Sequence, residues 1–161
     1  MADVDVLKEQ FTKALNWAVS YTSFYRNSAI DAVAGMIRNQ LERNLVDLTG
    51  LKTLCFVDMV YAGAGPFEST VEASSYWRNE YFTLLAACKV GSYFVKARGH
   101  AKMVFEYDSG RGHANYEYIE LESLEDPVVE RWSSRHFELF GREPERITAT
   151  YRRRRAKPSA V

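Results

Sequence analysis

The chain is 161 residues long, 47% hydrophobic and 26% charged, and its 21 basic and 21 acidic side chains leave no formal net charge. A domain of this length buries roughly 70% of its unfolded surface and needs no metal or disulfide staple to fold. The charged fraction is that of a globular rather than a disordered chain, and neutrality removes any global pull toward nucleic acid or an anionic membrane.

Helices come first. Leu7, Phe11, Ala14, Leu15 and Ala18 recur at spacings of three and four, which predicts a helix from about Asp5 to Ser20. Ile30, Val33, Ala34, Ile37 and Leu41 form a second stripe on a helix predicted from Asn27 to Leu45. Asn27 or Ser28 can cap its start, and Gly50 closes the region. The run Thr53–Tyr61, apolar after its first residue except for Asp58, reads as a buried strand, a pattern it shares with a short buried helix. Gly63, Gly65 and Pro66 break it. Ser75 to Val90 is expected to be a third helix, with Trp77, Tyr81, Leu84, Leu85 and Cys88 on one face and Gly91 at its end.

Three strands are predicted next: Tyr93 to Arg98, Ala101 to Tyr107, and His113 to Leu121, the last two joined by the turn Asp108–Gly112. Asp126–Pro127 is expected to open a helix carrying Val129, Trp132, His136 and Phe140, ended by Gly141 and Pro144. Arg146 to Arg152 alternates as a final strand. The expected fold is α+β, with two or three helices packed on one face of a mostly antiparallel sheet in the order α-α-β-α-β-β-β-α-β. Residues 1–151 form one domain, and 152–161 a basic tail.

The acidic start Met1–Asp5 shows no signal peptide, and no apolar run approaches the roughly 20 residues of a membrane span. Cys55 and Cys88 stand in apolar surroundings and read as two buried reduced thiols, so a cytoplasmic protein is expected.

Catalytic patterns are missing: there is no G-x-S-x-G, no S-x-x-K, no G-x-G-x-x-G and no phosphate loop ending in Gly-Lys-Ser/Thr. His100, His113 and His136 lack zinc-site spacing, so no metal and no cofactor are expected. His136 reads as a satisfied boundary histidine, and Glu117, Glu120 and Glu122 as a solvated face. Asp58 stands out, because a carboxylate within an apolar strand needs a partner and such groups gather at functional sites.

Aromatic residues make up 14% of the chain and cluster. Trp17, Tyr21, Phe24 and Tyr25 form one group, and a second runs through the predicted sheet. Part of this set exceeds the needs of a core and suits a ligand pocket or subunit interface. The ligand or interface candidates are Trp17, Tyr21, Asp58, Trp77, Tyr81, Phe105, Tyr107, Tyr116 and Tyr118. Arg152, Arg153, Arg154 and Arg155, with Lys96, Arg98 and Lys102, are the candidates for contacting nucleic-acid phosphates.

The unit Asp126 to Tyr151, with Phe137-Glu138-Leu139-Phe140-Gly141-Arg142-Glu143-Pro144 at its centre, resembles the closing helix–strand element of one fold group. That group holds the heme–nitric-oxide-binding sensor domains, the 4-vinyl-reductase-type sensor domains and the TRAPP vesicle-tethering subunits. Tyr107, Ser109 and Arg111 match the Y-x-S-x-R motif with which the heme sensors bind the heme propionates. Arg78 stands near where a proximal histidine would be wanted, so the resemblance implies a topology and not a heme.

The function expected from these features is a non-enzymatic, self-associating module, with a homodimer favoured, that binds a small ligand or a protein partner. One alternative is a nucleic-acid-binding accessory protein using the arginine cluster. A second is a small enzyme with Asp58 or Glu106 as its base.

Overall fold

The computed structural model describes residues 2–22, 30–65, 68–69, 75–108 and 113–136. Within them lie helices α1 (Ala2–Ser20) and α2 (Ile30–Thr49) and strands β1 (Thr53–Ala64), β2 (Glu68–Ser69), β3 (Ser75–Val90), β4 (Tyr93–Asp108), β5 (His113–Leu124) and β6 (Val128–Arg131). One 3-10 turn, Ser134–His136, follows β6. The fold is α+β. Its single antiparallel sheet runs β1-β3-β4-β5, with β2 added to β3 and β6 added to β4.

Both helices form as their apolar spacing predicts. Leu7, Phe11, Ala14, Leu15 and Ala18 of α1 are buried, as are Ile30, Val33, Ala34, Ile37 and Leu41 of α2. The helices run antiparallel and are tied by polar groups at matched heights: the Gln10 amide donates to the Leu48 carbonyl at 3.1 Å, and the buried Asn44 amide to the Ala14 carbonyl at 3.1 Å. Gln40 in turn donates to the Asn44 side-chain oxygen at 2.8 Å, so the buried amide is bonded at both ends. Residues Asn27 and Ser28, expected as the cap of α2, lie outside the described residues.

The sheet corrects the expected element order. Ser75–Val90 is not a helix but the 16-residue strand β3, paired residue for residue with β4. Its buried side chains Phe82, Leu84, Ala86, Cys88 and Val90 repeat every two residues and join the core beneath the helices. Gly91, expected as a helix terminator, takes φ of 59° in the two-residue link from β3 to β4, the backbone that a tight hairpin turn demands. The two strands expected at Tyr93–Arg98 and Ala101–Tyr107 are one continuous strand, β4. The helix expected from Asp126 is also absent over its described part. Pro127 instead leads into β6, which occupies the stretch Tyr93–Lys96 of β4 that β5 leaves vacant. The strand expected at Arg146–Arg152 and the tail beyond it lie outside the described residues.

The helices cover one face of the sheet, called here the inner face. Met59 from β1, the alternating set from β3, Val95, Ala97, Ala101 and Met103 from β4 and Ile119 from β5 meet them in one core. At Gly99 in mid-β4 the neighbouring strand approaches closely: a Cβ there would lie 2.8 Å from the Ser123 carbonyl oxygen and 3.0 Å from Leu121 Cδ1. Gly99→Ala is therefore expected to destabilise the fold by about 1–3 kcal/mol. Gly35→Ala, placed mid-helix with open space around the added carbon, is expected to stabilise it by about 0.5–1 kcal/mol. Urea denaturation of the two variants beside the parent checks both signs.

Candidate functional site on the outer face of the sheet

Strand alternation sends every second side chain to the outer face, opposite α1 and α2. The register lines these residues up in rows across the sheet. One row holds Leu54, Lys89, Phe94 and Glu130; the next holds Phe56, Ala87, Lys96 and Val128; a third holds Asp58, Leu85 and Arg98. Phe56, Ala87 and Phe94 are buried and pack with Leu85 and Trp132 into a small second cluster. The chain after β6 crosses onto this cluster. His136 stacks on Phe94 with ring centroids 4.1 Å apart, Trp132 tilts against both, and Lys89 Nζ lies 4.7 Å from the Trp132 ring centroid.

Polar contacts hold His136 in place. The Ser133 backbone N–H donates to His136 Nδ1 at 3.1 Å, and His136 N–H to the Ser133 carbonyl at 3.0 Å. The imidazole reaches back to the Ser133 amide as the glutamate of a capping box does, while the His136 amide closes a 3-10 turn on the Ser133 carbonyl. Because Nδ1 accepts, the neutral ring carries its proton on Nε2, which faces the Glu130 carboxylate at 3.1 Å. Arg135 bonds the same carboxylate oxygen at 3.0 Å. Ser133 Oγ lies 3.3 Å from Nδ1, so serine, histidine and glutamate stand in sequence. The Nδ1 lone pair already holds the Ser133 amide, however, and is not free to take the hydroxyl proton. The arrangement builds a turn rather than a nucleophile.

The basic candidates on β4 share this face. Lys96, Arg98 and His100 are exposed at alternate positions, with half-buried Lys102 next in line. Lys102 is bonded to Glu120 across the β4–β5 pair at 2.9 Å, which raises its ammonium pKa against a smaller opposing effect of burial. Arg152, Arg153, Arg154 and Arg155 lie outside the described residues.

The aromatic candidates separate. Trp17 near the end of α1 and Tyr21 just past it stand one turn apart and are 42% and 75% exposed, with Lys13 Nζ 4.8 Å from the Trp17 ring centroid. Tyr81 and Tyr118 are half-buried on the outer face. Trp77, Phe105, Tyr107 and Tyr116 occupy β3, β4 and β5 beyond the point to which side chains are described. Asp58 is 8% exposed on β1, an outermost strand of the described sheet order.

Two features escape a reading from the sequence. Trp132, Lys89 and Phe94 become neighbours only through the β3–β4 register and the β6 addition. The cysteines are the other. Cys55 and Cys88, expected as separate reduced thiols, oppose each other in the β1–β3 register with Cα atoms 4.2 Å apart and are joined as a disulfide. The signal for both was the two-residue alternation of β3, masked by a helix-like spacing of its bulkiest side chains.

The hydrogen bond from His136, with the charge and hydrogen bond of Arg135, holds the Glu130 carboxyl below the usual glutamate range, against a smaller opposing effect of burial. A depressed carboxylate stabilises the fold above the unfolded value near 4.5 and loses that contribution as pH falls through the lower folded value. Stability is therefore expected to fall more between pH 7 and acid in the parent than in Glu130→Gln, as urea midpoints at each pH would measure. Among the described residues no helix is long and apolar enough to cross a membrane, and no group of three or more His, Cys, Asp or Glu could hold a metal. Comparison with protein-family models, with curated proteins and with solved structures finds no match.

Proposed function

We propose that the chain is a non-enzymatic module that pairs with a second copy of itself through the solvent side of its helical layer. The observation that carries this reading is the position of Trp17 and Tyr21. Helix α1 buries its aliphatic stripe and Phe11, yet Trp17 within it and Tyr21 just past its end stand in water one turn apart. Val6 of α1 and Met36 and Val46 of α2 are exposed as well. Aromatic residues and methionine are the types enriched at protein interfaces, where they add contact area at a small loss of conformational freedom. Light scattering on the full chain is expected to give twice the mass of one chain. Trp17→Glu combined with Tyr21→Glu is expected to give single chains, with thermal stability changed by no more than about 0.5 kcal/mol per surface site. A parent that stays monomeric at high concentration overturns the reading.

A second reading has its own observation. The exposed series Lys96, Arg98 and His100, with the half-buried Trp132 on the same face, supports contact with the phosphates of a single-stranded nucleic acid. Lys102 contributes less, since Glu120 already holds it. Binding of a fluorescent oligonucleotide is then expected to weaken steeply with salt, and Lys96→Ala to lower the slope against log salt by about 1. Salt-independent binding, or none, removes this reading.

A further inference from the structure

We propose that Cys55 and Cys88 form a thiol–disulfide site that exchanges with a small dithiol reductant, and that its state sets how firmly β1 is held to the sheet. The two positions are direct neighbours across the antiparallel β1–β3 pair. The Cys55 backbone N–H does not turn toward Cys88; it donates to the Glu42 carboxylate of α2 at 2.8 Å. The two cysteines therefore form a non-hydrogen-bonded pair, the type in which opposed Cα atoms stand closest and side chains meet. The 4.2 Å between their Cα atoms agrees. With the bond open, both side chains remain small and apolar within the core they already share. The same fold thus accepts either state.

The surroundings of the two sulfurs differ. Cys88 lies on β3, between β1 and β4, and is fully buried; Cys55 lies on β1 at an end of the described sheet order. An incoming thiolate therefore reaches Cys55 first, when β1 opens locally. It attacks Cys55 Sγ, the bond to Cys88 Sγ breaks, and Cys88 leaves with the electron pair and takes up a proton. The second thiol of the reductant then displaces Cys55. The reductant ends as a cyclic disulfide, two electrons poorer, and the protein as a dithiol, two electrons and two protons richer.

The bond closes a loop spanning 33 positions between β1 and β3. Cutting it restores freedom to the unfolded chain and loosens β1, whose Cys55 amide also anchors α2 through Glu42.

The test uses the full chain equilibrated with dithiothreitol or with its cyclic oxidised form, then unfolded in N-ethylmaleimide and weighed. No adduct is expected after oxidation and two after reduction, with the midpoint of thermal unfolding lower by roughly 5–15 °C in the reduced form. Hydrogen exchange is expected to show protection lost in β1 and kept in the β3–β4 ladder. In the folded reduced protein, N-ethylmaleimide is expected on Cys55 before Cys88. Two adducts after the oxidising treatment overturn the proposal, as do equal β1 protection in both states and labelling of Cys88 first. The Cys55→Ala, Cys88→Ala double variant is expected to melt at one temperature with or without dithiothreitol; should it fail to fold, the measurements on the parent decide.

Discussion

The β3–β4 hairpin is the constraint on which the rest of the structure depends. Two 16-residue strands joined by Gly91 and Ser92 present paired backbone along their whole length, and every other described strand adds to one or the other. Their alternation decides what each face of the sheet carries. Among the described side chains, the even-numbered positions from Phe82 to Val90 of β3 and Val95, Ala97, Ala101 and Met103 of β4 supply the floor on which α1 and α2 rest, while Leu85, Ala87 and Phe94 lie on the outer face. A slip of one residue would exchange the two sets and bury Lys89, Lys96 and Arg98 under the helices, so the hydrophobic demand of the helical layer and the register enforce one another.

Parts of this were legible in the residues and parts were not, for physical reasons. Helices α1 and α2 announce themselves because each is apolar on one stripe only, and no strand pattern fits that spacing. Strand β3 misleads because both its faces carry bulk: Phe82, Leu84 and Cys88 point inward while Tyr81, Leu85 and Ala87 point outward, so two interleaved period-two sets imitate a helical stripe. Gly91 compounds the error, since positive φ serves a helix terminus and a tight hairpin equally well. Strand β6 hides behind an Asp-Pro pair that opens helices elsewhere. Its strand character comes from the backbone groups that β4 leaves unpaired at Tyr93–Lys96, which no local pattern reveals.

The same reasoning separates the functional candidates. Trp17 and Tyr21 were legible as members of the aromatic group that also holds Phe24 and Tyr25, and they stand in solvent. The alternation of Lys96, Arg98 and Lys102 was equally visible and places them on one face, although Glu120 takes Lys102. His136 was readable as a satisfied boundary residue. Its partners Glu130 and Ser133 depend on the chain turning back on itself after β6, which a helix through this segment would have prevented.

One side of β4 is divided between two strands. β5 pairs with Gly99–Asp108 and β6 with Tyr93–Lys96, and the link between them folds the Glu125 amide onto the Arg98 carbonyl, so the chain hugs the same strand while changing partners. The ladder on this side is thus built from two short segments where the β3 side is one unbroken run. β6 is held by more than its few rungs, since Trp132 and His136 pack on Phe94 and Lys89 lies over the Trp132 ring. The two rings thereby seal Phe94 at the place where the β4 ladder changes partner, so side-chain packing reinforces the sheet where its backbone pairing is shortest.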